Sequence, residues 1–190
     1  ASLLAAHPEL VVSINASPSH IGKREERHRI FGDAARRHGL PILYVNQIGG
    51  HDQVAYDGAS FAAGPEAGAV LEAQRFVQDT CTLQFDNGRF LNAEGQRPAA
   101  VPTEGLPTMA FYRQQIVLGL SDYARRCGFT QAVVGSSGGI DSALTLALAA
   151  EALGSDNVVA ITMPSHWSSS GSVDDSVALC QNLGVPLFTH

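Results

Sequence analysis

The spacing of apolar residues changes part-way along this chain. In the first half the apolar stretches are short and β-rich. Leu10-Val11-Val12-Ser13-Ile14-Asn15 is closed by Ser17-Pro18, which predicts a buried strand running into a loop. Over 22–38, Ile30, Phe31, Ala34 and Ala35 share one face and charged residues take the other, and Gly39 follows; this is an amphipathic helix with a glycine stop. Residues 41–46 predict a second apolar strand. Beyond Gly49-Gly50, the segments 56–62, 69–73 and 81–85 read as short strands separated by Gly, Pro, Asp and Asn turns.

Residues 92–107 hold three Pro and two Gly and show no apolar period, so they read as a linker between a domain over 1–91 and another over 108–190. The pattern then becomes regular. Residues 110–127 predict a helix with Ile116, Val117, Leu120, Tyr123, Ala124 and Cys127 on one face, closed by Gly128. Strands are expected at 131–135, 157–163 and 185–189. Helices are expected at 141–153 and 172–183, each followed by glycine. Strand–helix alternation implies a parallel sheet with right-handed crossovers, here three strands of an open α/β sheet stopped mid-build.

Composition narrows the classes. A chain of 190 residues that is 45% hydrophobic and 16% charged is ordinary globular protein and not a disordered one. The formal charge is −6 and Lys23 is the single lysine, which argues against a nucleic-acid partner. Cys81, Cys127 and Cys180 form no CxxC pair; they read as packing cysteines of a reducing, cytoplasmic protein. The seven histidines are scattered without metal-ligand spacing. No apolar run approaches the ~18 residues that would span a membrane. The chain starts at Ala1 and stops within an expected strand, so it reads as a piece of a longer open reading frame.

The strongest chemical signal is Gly135-Ser136-Ser137-Gly138-Gly139-Ile140-Asp141-Ser142, placed between a strand and a helix. Gly138 and Gly139 let the backbone turn tightly and approach an anion. Ser136, Ser137 and Ser142 add hydroxyls, and the helix start offers amides and a favourable dipole. A carboxylate beside a phosphate makes sense where Mg²⁺ bridges the two, which would make Asp141 a metal ligand. The same residues also suit a simple Gly-Ser turn in which Asp141 and Ser142 cap the helix. The loop fits neither GxxxxGK[ST] nor GxGxxG. It resembles the SGGxDS signature of the PP-loop ATP pyrophosphatases, which implies a cradle for ATP phosphates.

A second segment narrows the resemblance. Met163-Pro164-Ser165-His166-Trp167-Ser168-Ser169, with Ser172 and Asp175 beyond, resembles the MPS-[RK]-YSS-x-x-S-x-x-D segment of NAD synthetases, with His166 and Trp167 departing from it. An unperturbed His is mostly uncharged at neutral pH, unlike the Arg or Lys it replaces in that segment. Upstream, Asn15-Ala16-Ser17-Pro18 with Gly22-Lys23 resembles the N-x-S-P-[FY]-x-x-G-[KR] segment of a nitrilase-like glutaminase domain. Tyr44-Val45-Asn46-Gln47-Ile48-Gly49-Gly50 and Tyr56-Asp57-Gly58-Ala59-Ser60 resemble the same domain's YVNQVGG and FDGGS stretches. The order of parts is similar to that of the glutamine-dependent NAD synthetases.

The resemblance implies an α/β fold: the C-terminal part of a nitrilase-like α-β-β-α sandwich, then the start of a Rossmann-like PP-loop (adenine nucleotide α-hydrolase) domain. It implies glutamine, ATP and deamido-NAD as substrates, Mg²⁺ as cofactor, and a homo-oligomeric parent enzyme. Ser17 and Lys23 match its glutamine contacts, although Lys23 also suits a solvated helix start. Residues 135–142 match its ATP loop, Asp141 its metal ligand, and Met163 and Ser165 its approach to the adenosine. Its Cys-Glu-Lys triad matches nothing here and is expected upstream, so the isolated chain is expected to lack glutaminase activity. Two further readings stay open: another PP-loop amidotransferase or ligase of GMP- or asparagine-synthetase type, and an inactive chain that at most binds ATP.

Overall fold

The computed structural model describes residues 5, 7–164 and 170–190. They form two compact units, one of residues 1–49 and 53–115, the other of 50–52 and 116–190.

The first unit is built on a mixed four-stranded sheet of order β1-β2-β5-β6, from β1 (Val11–Asn15), β2 (Ile42–Asn46), β5 (Phe61–Gly64) and β6 (Gly68–Glu72). β1 and β2 are parallel, in register Val11↔Ile42 to Asn15↔Asn46, and β5 and β6 add antiparallel. α1 (Lys23–His38) covers one face. Phe31, Ala34 and Ala35 pack there on Ile42, Tyr44, Phe61 and Ala63. Gly39 closes the helix in the left-handed conformation with φ 62°, as the sequence predicts. Ile30 departs from prediction and is exposed, while Arg24 and Arg27 are buried on the same helix. The other sheet face meets a hairpin of β7 (Gln84–Asp86) and β8 (Arg89–Leu91), whose Phe90 packs with Ala62 and Val70. A second hairpin joins β3 (Ile48–His51) to β4 (Val54–Asp57). The strand at β1 is not buried throughout. Among the described residues it lies at the sheet edge, and Val12 and Ile14 on one face are exposed.

Residues 101–103 are fastened to this unit. Val101 N donates to Ala69 O, and Arg24 Nη2 donates to Pro102 O at 2.8 Å.

The second unit carries the expected parallel sheet, of order β11-β10-β9, from β9 (Ala132–Gly135), β10 (Val158–Thr162) and β11 (Leu187–Thr189). α3 (Ile140–Leu153) and α4 (Ser170–Leu183) alternate with the strands. Leu146, Ala149, Val158, Ala160, Cys180 and Val185 form its buried core.

α2 (Thr108–Cys127) contributes to both units, and its predicted apolar face is only partly right. Leu120 packs on the second unit's core and Ala124 is buried, but Ile116, Tyr123 and Cys127 are exposed. Phe111, outside the predicted face, is buried against Phe76 in the first unit. Phe111 packs in the first unit and Ala124 in the second, so a single apolar stripe does not describe the whole helix. The cysteine reading is corrected as well: all three are free thiols, but Cys81 and Cys127 are exposed and only Cys180 packs in a core. Among the described residues no helix is long and apolar enough to cross a membrane.

Candidate functional site

β9 ends at Gly135 and α3 starts at Ile140, so four residues must carry the chain from a strand end into a helix. Gly138 makes the turn with φ 76°. A Cβ there would lie 2.6 Å from Ser172 Cα, so both the backbone angle and the approach of α4 demand glycine. Gly139 is extended, with φ −89° and ψ 159°, and occupies the N-cap position without a side-chain cap.

The loop is shaped by its own hydroxyls. Ser142 Oγ donates to Gly139 O at 2.9 Å and accepts from Ser137 N at 3.2 Å. Ser137 Oγ lies 3.0 Å from Ser142 Oγ and accepts from Gly139 N at 3.3 Å. Ser136 has another task. It is buried, and its hydroxyl donates to Ser176 Oγ at 2.9 Å, which in turn donates to Ser172 O at 3.0 Å. This chain of hydroxyls ties the strand end to α4. Asp141 is exposed in the first turn of α3. Beside the loop opens a cavity of about 260 Å³, bordered by Gly135, Ser136, Ser137, Thr162 and Met163. A second cavity is bordered by Gly138, Gly139, Ser142 and Asp175.

Residues 135–142 and Met163 are thus brought together. Ser165, His166 and Trp167 lie outside the described residues. The exposed helix start suits anionic oxygens, because the first amides of a helix have no carbonyl one turn earlier and the dipole favours negative charge. The donor set also suits a hard cation shared with such oxygens. Asp141 supplies one carboxylate, and among the described residues no group of three or more His, Cys, Asp or Glu could take a metal by itself.

Ser17 and Lys23 lie in the first unit, Ser17 in the loop between β1 and α1 and Lys23 as the first residue of α1. Ser17 N donates to Asn46 Oδ1 at 2.9 Å, and Ser17 O accepts from Arg27 Nη2 at 2.8 Å. Lys23 Nζ donates to Glu26 Oε2 at 2.9 Å. That hydrogen bond, with the lysine charge, holds the Glu26 carboxyl below its ordinary range. Between them Ser19 is only 8% exposed, and among the described residues its Oγ has no hydrogen-bond partner. Sequence reasoning missed Arg27, Asn46 and Ser176. Arg27 sits among the charges of α1, which read as a solvent face, and a buried serine pair leaves no mark in spacing.

Residues 112–190 match the NAD synthase family. The glutamine-dependent NAD(+) synthetase of a Synechocystis species is 41% identical over 93% of this chain and 31% of its own length. That of Rhodobacter capsulatus is 38% identical over 99% of this chain and 34% of its own. The solved Acinetobacter baumannii glutamine-dependent NAD+ synthetase, in complex with ADP, superposes with a TM-score of 0.85 at 34% identity. That match covers 98% of this chain and 35% of that one. The chain therefore spans about a third of the length of the relatives it matches.

Proposed function

We propose that the chain is part of a glutamine-dependent NAD(+) synthetase, like the relatives it is similar to, and that it works within a ligase that amidates deamido-NAD to NAD with ammonia released from glutamine. The observation that carries the proposal is the loop 135–142, where a parallel strand, a left-handed Gly138 and the open start of α3 converge. The phosphates of ATP lie against the amides that open α3, with the Ser137 and Ser142 hydroxyls beside them. Ser136 supports the loop from behind through Ser176. Met163 and Ser165 approach the adenosine. Asp141 would hold Mg²⁺ together with phosphate oxygens, and the ion supplies neutralising charge there.

The chemistry follows from what a carboxylate lacks. Its oxygen is a poor leaving group, so the nicotinate carboxylate of deamido-NAD attacks the α-phosphorus of ATP and the bond to pyrophosphate breaks. Ammonia then adds to the acyl carbon and AMP departs, leaving the amide. Amides and a helix dipole aimed at the departing phosphates stabilise the charge that develops on them.

In the first unit, Ser17 and Lys23 hold glutamine. The Lys23 ammonium pairs with Glu26 and is 25% exposed, so a substrate carboxylate can reach it. We assign 1–91 to the later part of a nitrilase-like α-β-β-α sandwich, 92–107 to a connector, and 108–190 to the opening of a Rossmann-like PP-loop domain. The mixed and parallel sheets support this division. The same reading extends to a homo-oligomeric enzyme of the cytoplasm, with which three free thiols agree.

A protein of full family length carrying this chain, given deamido-NAD, Mg-ATP and glutamine, should form NAD with equal amounts of AMP and pyrophosphate. Asp141→Ala should lower that turnover by about 100-fold or more. Formation of GMP or asparagine from their own precursors, with no NAD, overturns the reading.

A further inference from the structure

Arg27 is 3% exposed and Asp57 is 0% exposed, and the two are paired through Nη1 and Oδ1 at 2.8 Å. Desolvating both charges is expensive, and an apolar pair could often hold a helix on a sheet as well. The guanidinium, however, does more than meet Asp57. Its Nη2 donates to Ser17 O at 2.8 Å and to Pro18 O at 3.0 Å, and its Nε donates to Ser17 Oγ at 3.2 Å. From β2, Asn46 Oδ1 accepts the Ser17 amide at 2.9 Å, while Asn46 Nδ2 donates to Gly58 O at 2.9 Å. The Ser17 amide, carbonyl and hydroxyl oxygen are all engaged by two buried side chains. Asp57 is itself fixed on its far side by Arg75, whose Nη2 lies 2.9 Å from Oδ2.

We infer that Arg27 and Asn46 are positioning residues of the glutamine site, forming a clamp that acts through Ser17. The inference rests on the reading of Ser17 as a glutamine contact. Two consequences follow from the geometry. A serine in a strand-to-helix loop is held as firmly as one inside an element, which is what exact placement of a substrate contact needs. And because Arg27 Nε occupies an acceptor position of Ser17 Oγ, the hydroxyl hydrogen is left to donate. Ser17 then favours an acceptor oxygen, as glutamine's carboxylate or amide carbonyl provides, over a cationic group. A lysine at 27 keeps the charge opposite Asp57 but loses the planar fork that reaches four oxygens at once.

The test compares glutamine-driven with ammonia-driven NAD formation in a protein of full family length that carries this chain. Arg27→Lys should raise the KM for glutamine about tenfold or more relative to the ammonia-driven reaction of the same variant. A merely structural role reduces the amount of competent glutamine site, and so lowers kcat for glutamine while leaving its KM unchanged. Should Arg27→Lys fail to fold, Asn46→Ala carries the same expectation. A glutamine-to-ammonia ratio that stays at the wild-type value in the folded variant overturns the clamp. A wild type that forms NAD from ammonia but not from glutamine instead overturns the reading of Ser17 itself.

Discussion

Two adjacent glycines in the loop 135–142 carry different burdens. Gly138 has φ 76° and faces the Ser172 backbone, whereas Gly139 has φ −89° and meets only Ser137 Oγ, at 3.4 Å. Gly138→Ala should therefore cost about 1–2 kcal/mol for the left-handed angle, with roughly 1–3 kcal/mol more for the clash. Gly139→Ala should be close to neutral. Urea titration of both variants, followed by an ATP titration, checks the contrast. From the sequence the two residues look equivalent, since both simply lack a Cβ. The SGGxDS pattern makes the loop legible, but which glycine is indispensable depends on where α4 passes. The serines divide in the same way: of three similar donors, Ser137 is exposed, Ser142 is half-buried and Ser136 is a buried strut.

Among the elements, α1 departs furthest from its pattern. Its apolar stripe was legible, but its second buried line consists of Arg24 and Arg27, which pair with Glu72 and Asp57 from strands far along the chain. No local spacing can reveal such partners. The Arg24–Glu72 contact has a pH consequence. Burial alone would raise the Glu72 carboxyl, but hydrogen bonds from His28 and Arg24 and the charge of Arg24 outweigh it and leave the carboxyl below its ordinary range. A depressed folded value means stability that is present above the unfolded value of about 4.3 and lost as pH falls through the folded one. Acid unfolding of the first unit should thus steepen below about pH 4.3. Glu72→Gln should lower stability at neutral pH and flatten that acid limb, as followed by circular dichroism. If the limb keeps its slope in Glu72→Gln, the Glu72 contact is not its cause.

At the scale of the whole molecule, each unit has a hydrophobic core of its own. Tyr44 and Phe61 anchor the first, and Leu146 and Val158 the second. Leu146 is fully buried on α3, the helix whose start forms the phosphate loop. Leu146→Ala should cost about 2–5 kcal/mol, read as an earlier urea midpoint when ATP binding is the probe. What the sequence determined by itself was local. Apolar periods located α1 to α4 and most strands, the change of period marked two kinds of architecture, and short motifs carried the resemblance to the NAD synthetases. These features depend on neighbours a few residues apart, so spacing encodes them. What only the tertiary structure decided was long-range. It made β1 an edge strand, turned α2 toward two cores, left Cys81 and Cys127 exposed, and brought Arg27, Asn46 and Asp57 around Ser17. Those outcomes depend on which surfaces meet after the chain has closed on itself, and a charged residue reads as solvated until its buried partner is known.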